Sequence, residues 1–298
     1  MTWIAATFGA LPGTARGAVW MSVAGLSFAG MAVMIRVLAD DLPPLEIGFF
    51  RAFIALLLMT PYALRAGPGI WRTGNHKALA ARGCSGAIFV MFFFSGVALI
   101  DVADAQALTF TTPLFGMMLA MLFLGERLRV NRVVALGVGF AGALIIIRPG
   151  FQTVSVGAVL VLISALTAAG SGTLLKFVTR NNPPDKVVFF HSLYMTPITL
   201  VGALFDWQWP TLWQLVMLIV MAALATLNQR FLRRAFATAD ATAMFPFVFM
   251  RLPFGAALGF MVFHELPGIW VWLGGAVVFG AAFYLAREGG KTAGKISL

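Results

Sequence analysis

The polar positions of this 298-residue chain fall in short clusters, and between them apolar residues run for 17 to 22 positions at a time. Ten such runs lie at roughly 17–36, 46–64, 83–100, 105–124, 131–147, 157–176, 187–204, 211–229, 240–261 and 268–285. About 20 apolar residues in a helix cross the hydrocarbon of a bilayer, and a helix satisfies its own backbone there. The pattern predicts an all-α integral membrane protein of ten transmembrane helices. Its connectors are too short to hold a soluble domain. Residues 1–16, with Trp3, Ile4, Phe8 and Leu11, read as an interfacial segment, and Gly289 to Leu298 as a loose basic tail.

The runs repeat. From Gly17 to Phe50 there is a helix-length apolar run, a polar break with Pro43-Pro44, and the start of a second run. The pattern returns 140 positions later, from Gly157 to Phe190, with ten of 34 aligned positions identical. Similar composition alone does not readily place Pro43/Pro183, Pro44/Pro184, Phe49/Phe189 and Phe50/Phe190 in one register. Two repeats of five helices are expected, one in 1–150 with the N-terminal segment and one in 151–298 with the C-terminal tail. Asp40, Asp41 and Glu46 of the first copy become Arg180, Asn181 and Lys186 in the second. Cytoplasmic connectors are rich in Lys and Arg. The copies should then face opposite sides of the membrane, as an inverted repeat with an odd number of spans in each half.

Composition agrees with a bilayer-embedded chain: 60% hydrophobic, 11% charged, mean hydropathy +0.92, against roughly 25% charge in a soluble domain. The net charge of +10 invites a nucleic-acid reading, but the basic residues sit in the gaps between apolar runs, so no nucleic-acid partner is expected. With the N-terminus in the cytoplasm, inside connectors and flanks hold 17 of the 21 Lys and Arg residues, Arg82 among them. Asp40, Asp41, Asp101, Asp206 and Glu265 then lie outside, and both termini are expected in the cytoplasm. No cleavable leader is expected, the first span serving as the targeting signal. The single Cys84 excludes an internal disulfide and is expected to pack within the bundle. No zinc cluster, phosphate loop or nucleophile triad is present in the pattern, so no cofactor, metal or enzymatic activity is expected.

Polar side chains inside the runs are the candidates for function, because charge in a span is costly unless it is paired or faces water. Arg251 lies about 16 Å along its helix from Asp240, between Pro246 and Pro253. It is either a cavity-facing cation for a carboxylate or phosphate, or a structural arginine bonded to carbonyls freed by the prolines or to a buried acid. Gln106, Thr109 and Pro113 share a helical face, which makes Gln106 and Thr109 solute contacts or self-satisfied residues. Asp104 and Asp240 begin matching spans and are expected to cap them, with gating as a second role. Arg51 and His191 occupy equivalent places in the repeat. Glu46 is a candidate partner for Arg51, and His191 a candidate for proton coupling. Phe92, Phe245 and Trp20 are candidate aromatic walls, whereas Trp207, Trp209 and Trp213 read as an interfacial belt. Gly255 and Gly259 form a GxxxG pair that suits either internal packing or a homodimer, and a monomer suffices.

Across most of its length the chain resembles the ten-span EamA-type permeases of the drug/metabolite transporter superfamily. The resemblance rests on Thr112-Pro113-Leu114-Phe115, leading into Leu124-Gly125-Glu126-Arg127-Leu128. The second half departs from the family pattern, since Phe263-His264-Glu265-Leu266 keeps the glutamate without its glycine and arginine. The resemblance implies alternating-access transport of small metabolites across a bacterial inner membrane. It also implies a cavity among spans 3, 4, 8 and 9, which favours Phe92, Gln106, Thr109, Asn228, Phe245 and Arg251 as substrate contacts. Within the family the chain is similar to exporters of aromatic and other neutral amino acids. A nucleotide-sugar or organic-phosphate exchanger is the alternative and calls for more interior cations than Arg251. A non-transport membrane scaffold is the third reading.

Overall fold

A computed structural model describes residues 13–73, 75–124, 130–148, 155–179, 182–238 and 247–293. The expectations for Asp240, Phe245, Pro246 and Glu126 lie outside the described residues. Among the described residues the order is α1 (Gly13–Ala39), α2 (Pro44–Ala66), α3 (His76–Leu99), α4a (Val102–Thr109), α4b (Thr112–Leu124), α5 (Val130–Ile147), α6 (Val156–Thr179), α7 (Pro184–Ala203), α8 (Leu212–Thr238), α9 (Arg251–Phe263) and α10 (Ile269–Ala293). Short 3-10 turns follow α2 at Gly67–Trp71 and α7 at Leu204–Asp206.

The protein is an all-α, multi-pass membrane protein. By length and composition five stretches among the described residues can cross a bilayer, 15–39, 44–71, 76–99, 185–206 and 212–235, and shorter apolar helices cover 133–147, 156–172, 251–263 and 269–284. Several helices outrun their apolar blocks: α3 begins at His76, α8 reaches Thr238 and α10 reaches Ala293. Hydropathy marks only the part of a helix in hydrocarbon, and the added turns carry basic side chains long enough to reach the headgroups. Arg82, expected on the inner flank of the third span, lies within α3 and donates from Nη1 to Ser171 Oγ on α6 at 3.1 Å.

Pro44 and Pro184 each occupy the first turn of a helix, where a missing N–H costs nothing. Pro113 acts differently. It interrupts the fourth helix between α4a and α4b, and its absent N–H would have bonded the Thr109 carbonyl. The Thr112 hydroxyl donates to that carbonyl instead, at 2.8 Å, which keeps the break satisfied in an apolar setting.

The most extensive helix contacts all join one half of the chain to the other: α1 with α8, α3 with α6, α5 with α10, and α2 with α7. Exchanging the halves converts α1–α8 into α3–α6 and returns the other two pairs to themselves. The α2–α7 pair carries the repeat at the residue level. Phe49 and Phe50 near the start of α2 pack on Trp207 beyond the end of α7, at 5.7 and 5.8 Å between centroids. Phe189 and Phe190 near the start of α7 pack on Trp71 beyond the end of α2, at 6.3 and 5.4 Å. The two helices are therefore antiparallel, the arrangement that an inverted repeat gives. Glu46 Oε2 accepts from the Gln208 backbone N–H at 2.9 Å, and its counterpart Lys186 donates from Nζ to the Arg72 carbonyl at 2.8 Å. Both bonds reach the residue after the tryptophan. The acid takes its N–H and the base its C=O, so the charge reversal noted in the sequence preserves one structural bond. Glu46 is thus occupied by Gln208 and is not the partner expected for Arg51.

Glycines set the closest approaches. A Cβ on Gly96 of α3 would lie 2.9 Å from the Gly157 carbonyl of α6, and one on Gly157 would lie 2.9 Å from the Gly96 carbonyl. Gly274 of α10 stands in the same relation to Gly142 of α5, at 2.6 Å. The outer surface exposes Leu57, Leu58, Leu64, Val134, Leu144 and Met261, as a lipid-facing surface does. Cys84 is exposed on α3, against the expectation that it packs inside. Trp209 and Trp213 are exposed as the belt reading expects, whereas Trp207 is turned onto the phenylalanine pair.

Candidate functional site

Three residues one helical turn apart, Arg251, Gly255 and Gly259, form the face that α9 turns towards α1 and α4a. Gly25 of α1 lies against Arg251, since a Cβ there would meet Arg251 Cγ at 3.4 Å and its backbone N at 3.5 Å, ordinary contact distances. The Arg251 guanidinium sits over the Phe28 ring, with Cζ 4.6 Å from the centroid. Phe28 lies against Phe93 of α3 at 5.5 Å, and Phe93 stacks on Phe89 at 5.3 Å. Among the described residues no carboxylate forms an ion pair with Arg251. Its charge is held by an aromatic face rather than by the freed carbonyls of the structural alternative.

One turn further along α9, Gly255 faces Gln106, whose Cγ would lie 2.8 Å from an added Cβ. Gln106 is 1% exposed, and neither atom of its amide has a hydrogen-bond partner. An unpartnered buried amide costs about 1–3 kcal/mol. Thr109 points its hydroxyl back to the Gln106 carbonyl at 2.6 Å, the self-satisfied alternative. Gly259 sits against Val102 and Glu265. The GxxxG pair is therefore used inside the chain.

The bundle end carrying Asp101 and Glu265 is closed by Arg36. Its guanidinium donates to the Ile100 carbonyl at 2.9 Å, pairs with Asp101 at 3.4 Å and with Glu265 at 2.5 Å, and covers the Phe263 ring at 4.8 Å. His264, in the left-handed region at φ 58°, ends α9 and begins the turn that brings Glu265 back to this end. Burial, and Asp101 beside it, raise the Glu265 carboxyl above the ordinary glutamate range, while Arg36 pulls it down. Asp104 faces the same pair of acids. It is the third residue of α4a, whose N-cap is Asp101 and carries no side-chain cap bond, so the expected capping role is not observed. Asp104 also lines a small cavity with Ile100, Leu108, Ile146 and Ser155.

Other sequence candidates lie elsewhere. Trp20 stacks on Phe231 of α8 at 5.3 Å, beneath the Arg234 guanidinium. Asn228 is buried, with its amide donating to the Ala24 carbonyl at 2.8 Å, a tie between α8 and α1. Phe92 is half-buried, and the stacking role falls to Phe93 next to it. Arg51 and His191 belong to the α2–α7 side of the bundle, away from the Arg251 tier. Phe28, Arg36 and Arg82 complete the polar and aromatic interior, although the sequence did not single them out as site residues. The available signal was a cation within the last turn of α1 beside an acidic connector, and one within the first turns of α3.

Comparison of sequences places the chain among transport proteins. A sequence profile of the EamA-like transporter family matches residues 15–148. A riboflavin transporter of Rhizobium johnstonii is 31% identical over 275 residues, 91% of each chain. A pseudopaline exporter of Pseudomonas aeruginosa is 30% identical over 273 residues, 91% of this chain and 96% of that one. A solved crystal structure at 17% identity superposes with a TM-score of 0.57, over 90% of this chain and 98% of the other, and so shares the fold.

Proposed function

The chain belongs to the EamA-like transporter family, a small-molecule membrane transporter and not an enzyme, and from that premise we propose that it moves a planar aromatic metabolite by alternating access, with riboflavin as the leading candidate. The observation that carries this reading is the pairing of Arg251 with Phe28 beside the unpartnered Gln106 amide. A flavin ring has a broad apolar face for the Phe28–Phe93–Phe89 tier and carbonyl acceptors for a guanidinium and an amide. The similarity to a riboflavin transporter over nine-tenths of both chains supports the same solute. Ten spans in two inverted repeats, in a bacterial inner membrane with both termini in the cytoplasm, form the frame of this reading. Symmetric pairing between the halves supports it, because alternating access requires two arrangements of similar energy.

Export of aromatic or neutral amino acids is a second reading, and the free guanidinium of Arg251 favours it through the substrate carboxylate. Quenching of flavin fluorescence by the purified protein in nanodiscs separates the two. Saturable riboflavin quenching, unaffected by excess phenylalanine or tryptophan, supports the flavin. Displacement by those amino acids supports the second reading, and no quenching removes the flavin.

A further inference from the structure

We infer that the seam between α2, α3 and α7 holds a second site, formed by Arg51, Arg82 and His191, that takes a carboxylate or phosphate of the transported solute. This inference rests on the transport reading above and narrows its solute class to an anionic aromatic metabolite, such as a flavin phosphate, since riboflavin itself is uncharged.

The three side chains come from three mutually packed helices. Both guanidinium charges act on the His191 imidazole, whose ring is set against the Arg82 backbone. Gly86 makes that approach possible, since a Cβ there would lie 2.1 Å from His191 Cε1. Arg82 has one bonded arm, to Ser171, while its Nε is buried without a partner. The Nε of Arg51 and the Nδ1 of His191 are likewise buried and unpartnered. Arg51 makes no ion pair with any described residue. The one acid of α2, Glu46, is turned to Gln208. The other acids whose surroundings are described, Asp40, Asp41, Asp101, Asp104, Asp185, Asp206 and Glu265, lie in connectors or first helical turns.

Two guanidinium groups with no carboxylate partner among the described residues are costly to keep in an apolar setting. A bound anion offsets that cost, and an arginine pair offers it charge-assisted, bidentate donors. A neutral solute leaves the cost in place. The site is also connected to the Arg251 tier. Arg82, Gly86, Phe89 and Phe93 are spaced by four, three and four residues and share one face of α3. That face leads from the cationic seam along the stacked phenylalanines to Phe28 and Arg251. Arg51 and Arg82 are the additional interior cations that an organic-anion carrier calls for.

The test uses the full-length protein in zwitterionic nanodiscs. Thermal midpoints are measured by tryptophan fluorescence at constant ionic strength, with chloride exchanged for inorganic phosphate. Phosphate should raise the wild-type midpoint above that in chloride, because a ligand of the folded state stabilises it. Arg51→Gln and Arg82→Gln should lose the rise, and Arg51→Lys and Arg82→Lys, which keep the charge and guard against misfolding of the neutral variants, should retain part of it. Equal midpoints in phosphate and chloride, or an undiminished rise in the glutamine variants, overturn the site. In a second arm, riboflavin 5′-phosphate should bind at least about tenfold more tightly than riboflavin, with the gap closing in Arg82→Gln. Equal binding of the two flavins overturns the anion site and leaves the flavin reading standing. A phosphate-specific rise without binding of either flavin does the reverse.

Discussion

Gln106 behaves unlike an ordinary buried polar residue, because neither atom of its amide has a hydrogen-bond partner, and Arg251 is met by the Phe28 ring without an ion-pair partner among the described residues. This makes their roles separable by substitution. Removing a buried amide that has no partner removes a cost, so Gln106→Leu should leave the thermal midpoint unchanged or raise it while solute binding weakens on the order of tenfold. A fall in midpoint with binding intact would instead assign Gln106 to the packing. Glu265 gives a prediction in pH. Its raised carboxyl means that the folded protein holds the proton more tightly than the unfolded chain. The stability from this group is therefore fully present below the ordinary glutamate range and is lost as pH rises through the raised value. The wild-type midpoint, taken relative to Glu265→Gln, should fall as pH rises above the ordinary glutamate range, as two acids come to share Arg36 with Asp104 nearby. A pH-independent difference contradicts the shared contact. Sequence reasoning reached Arg251 and Gln106 because polar residues in apolar runs are conspicuous. It did not reach Phe28, one of 28 phenylalanines, since only the tertiary fold selects which ring lies beneath the guanidinium. It placed Arg82 on the flank of the third span because apolar blocks do not mark where helices end.

At the scale of elements, the helix seams depend on small residues and on proline breaks that are locally repaired. Gly274→Val at the α5–α10 seam should cost about 1–3 kcal/mol, because the nearest obstruction is the Gly142 carbonyl and backbone does not move aside as a side chain does. A midpoint within a degree or so of wild type would show that the seam opens without penalty. Thr112→Val should cost about 1 kcal/mol or more, by leaving the Thr109 carbonyl unpaired where Pro113 provides no N–H. The all-helical character and order of the described elements were legible in the sequence, and the pairing of helices between the halves is symmetric as a repeat suggests. The Pro-Pro and Phe-Phe pairs proved to be a helix start and a tryptophan-packing pair used twice. The structural purpose of the Glu46/Lys186 difference was not legible. Its meaning depends on Gln208 and Arg72, which lie 162 and 114 residues away. Asn228 shows the opposite limit: a polar residue near a helix end looks available in sequence, and one backbone carbonyl across a helix seam occupies it.

For the whole molecule, the pairing of helices between the two halves is the arrangement of a small-molecule membrane transporter. The orientation expected from charge is open to test in a Cys84→Ser background. A cysteine at Arg72 should react with a membrane-impermeant thiol reagent only from the cytoplasmic side, and one at Asp40 only from the outside; the reverse pattern would invert the proposed topology. The most direct test of the account is riboflavin flux into proteoliposomes containing the purified protein, compared with Arg251→Gln at matched protein density. The account predicts saturable flux in the wild type and a loss of at least about tenfold in kcat/KM in the variant, with its thermal midpoint preserved. Wild-type flux indistinguishable from protein-free liposomes, or equal flux through Arg251→Gln, would contradict it.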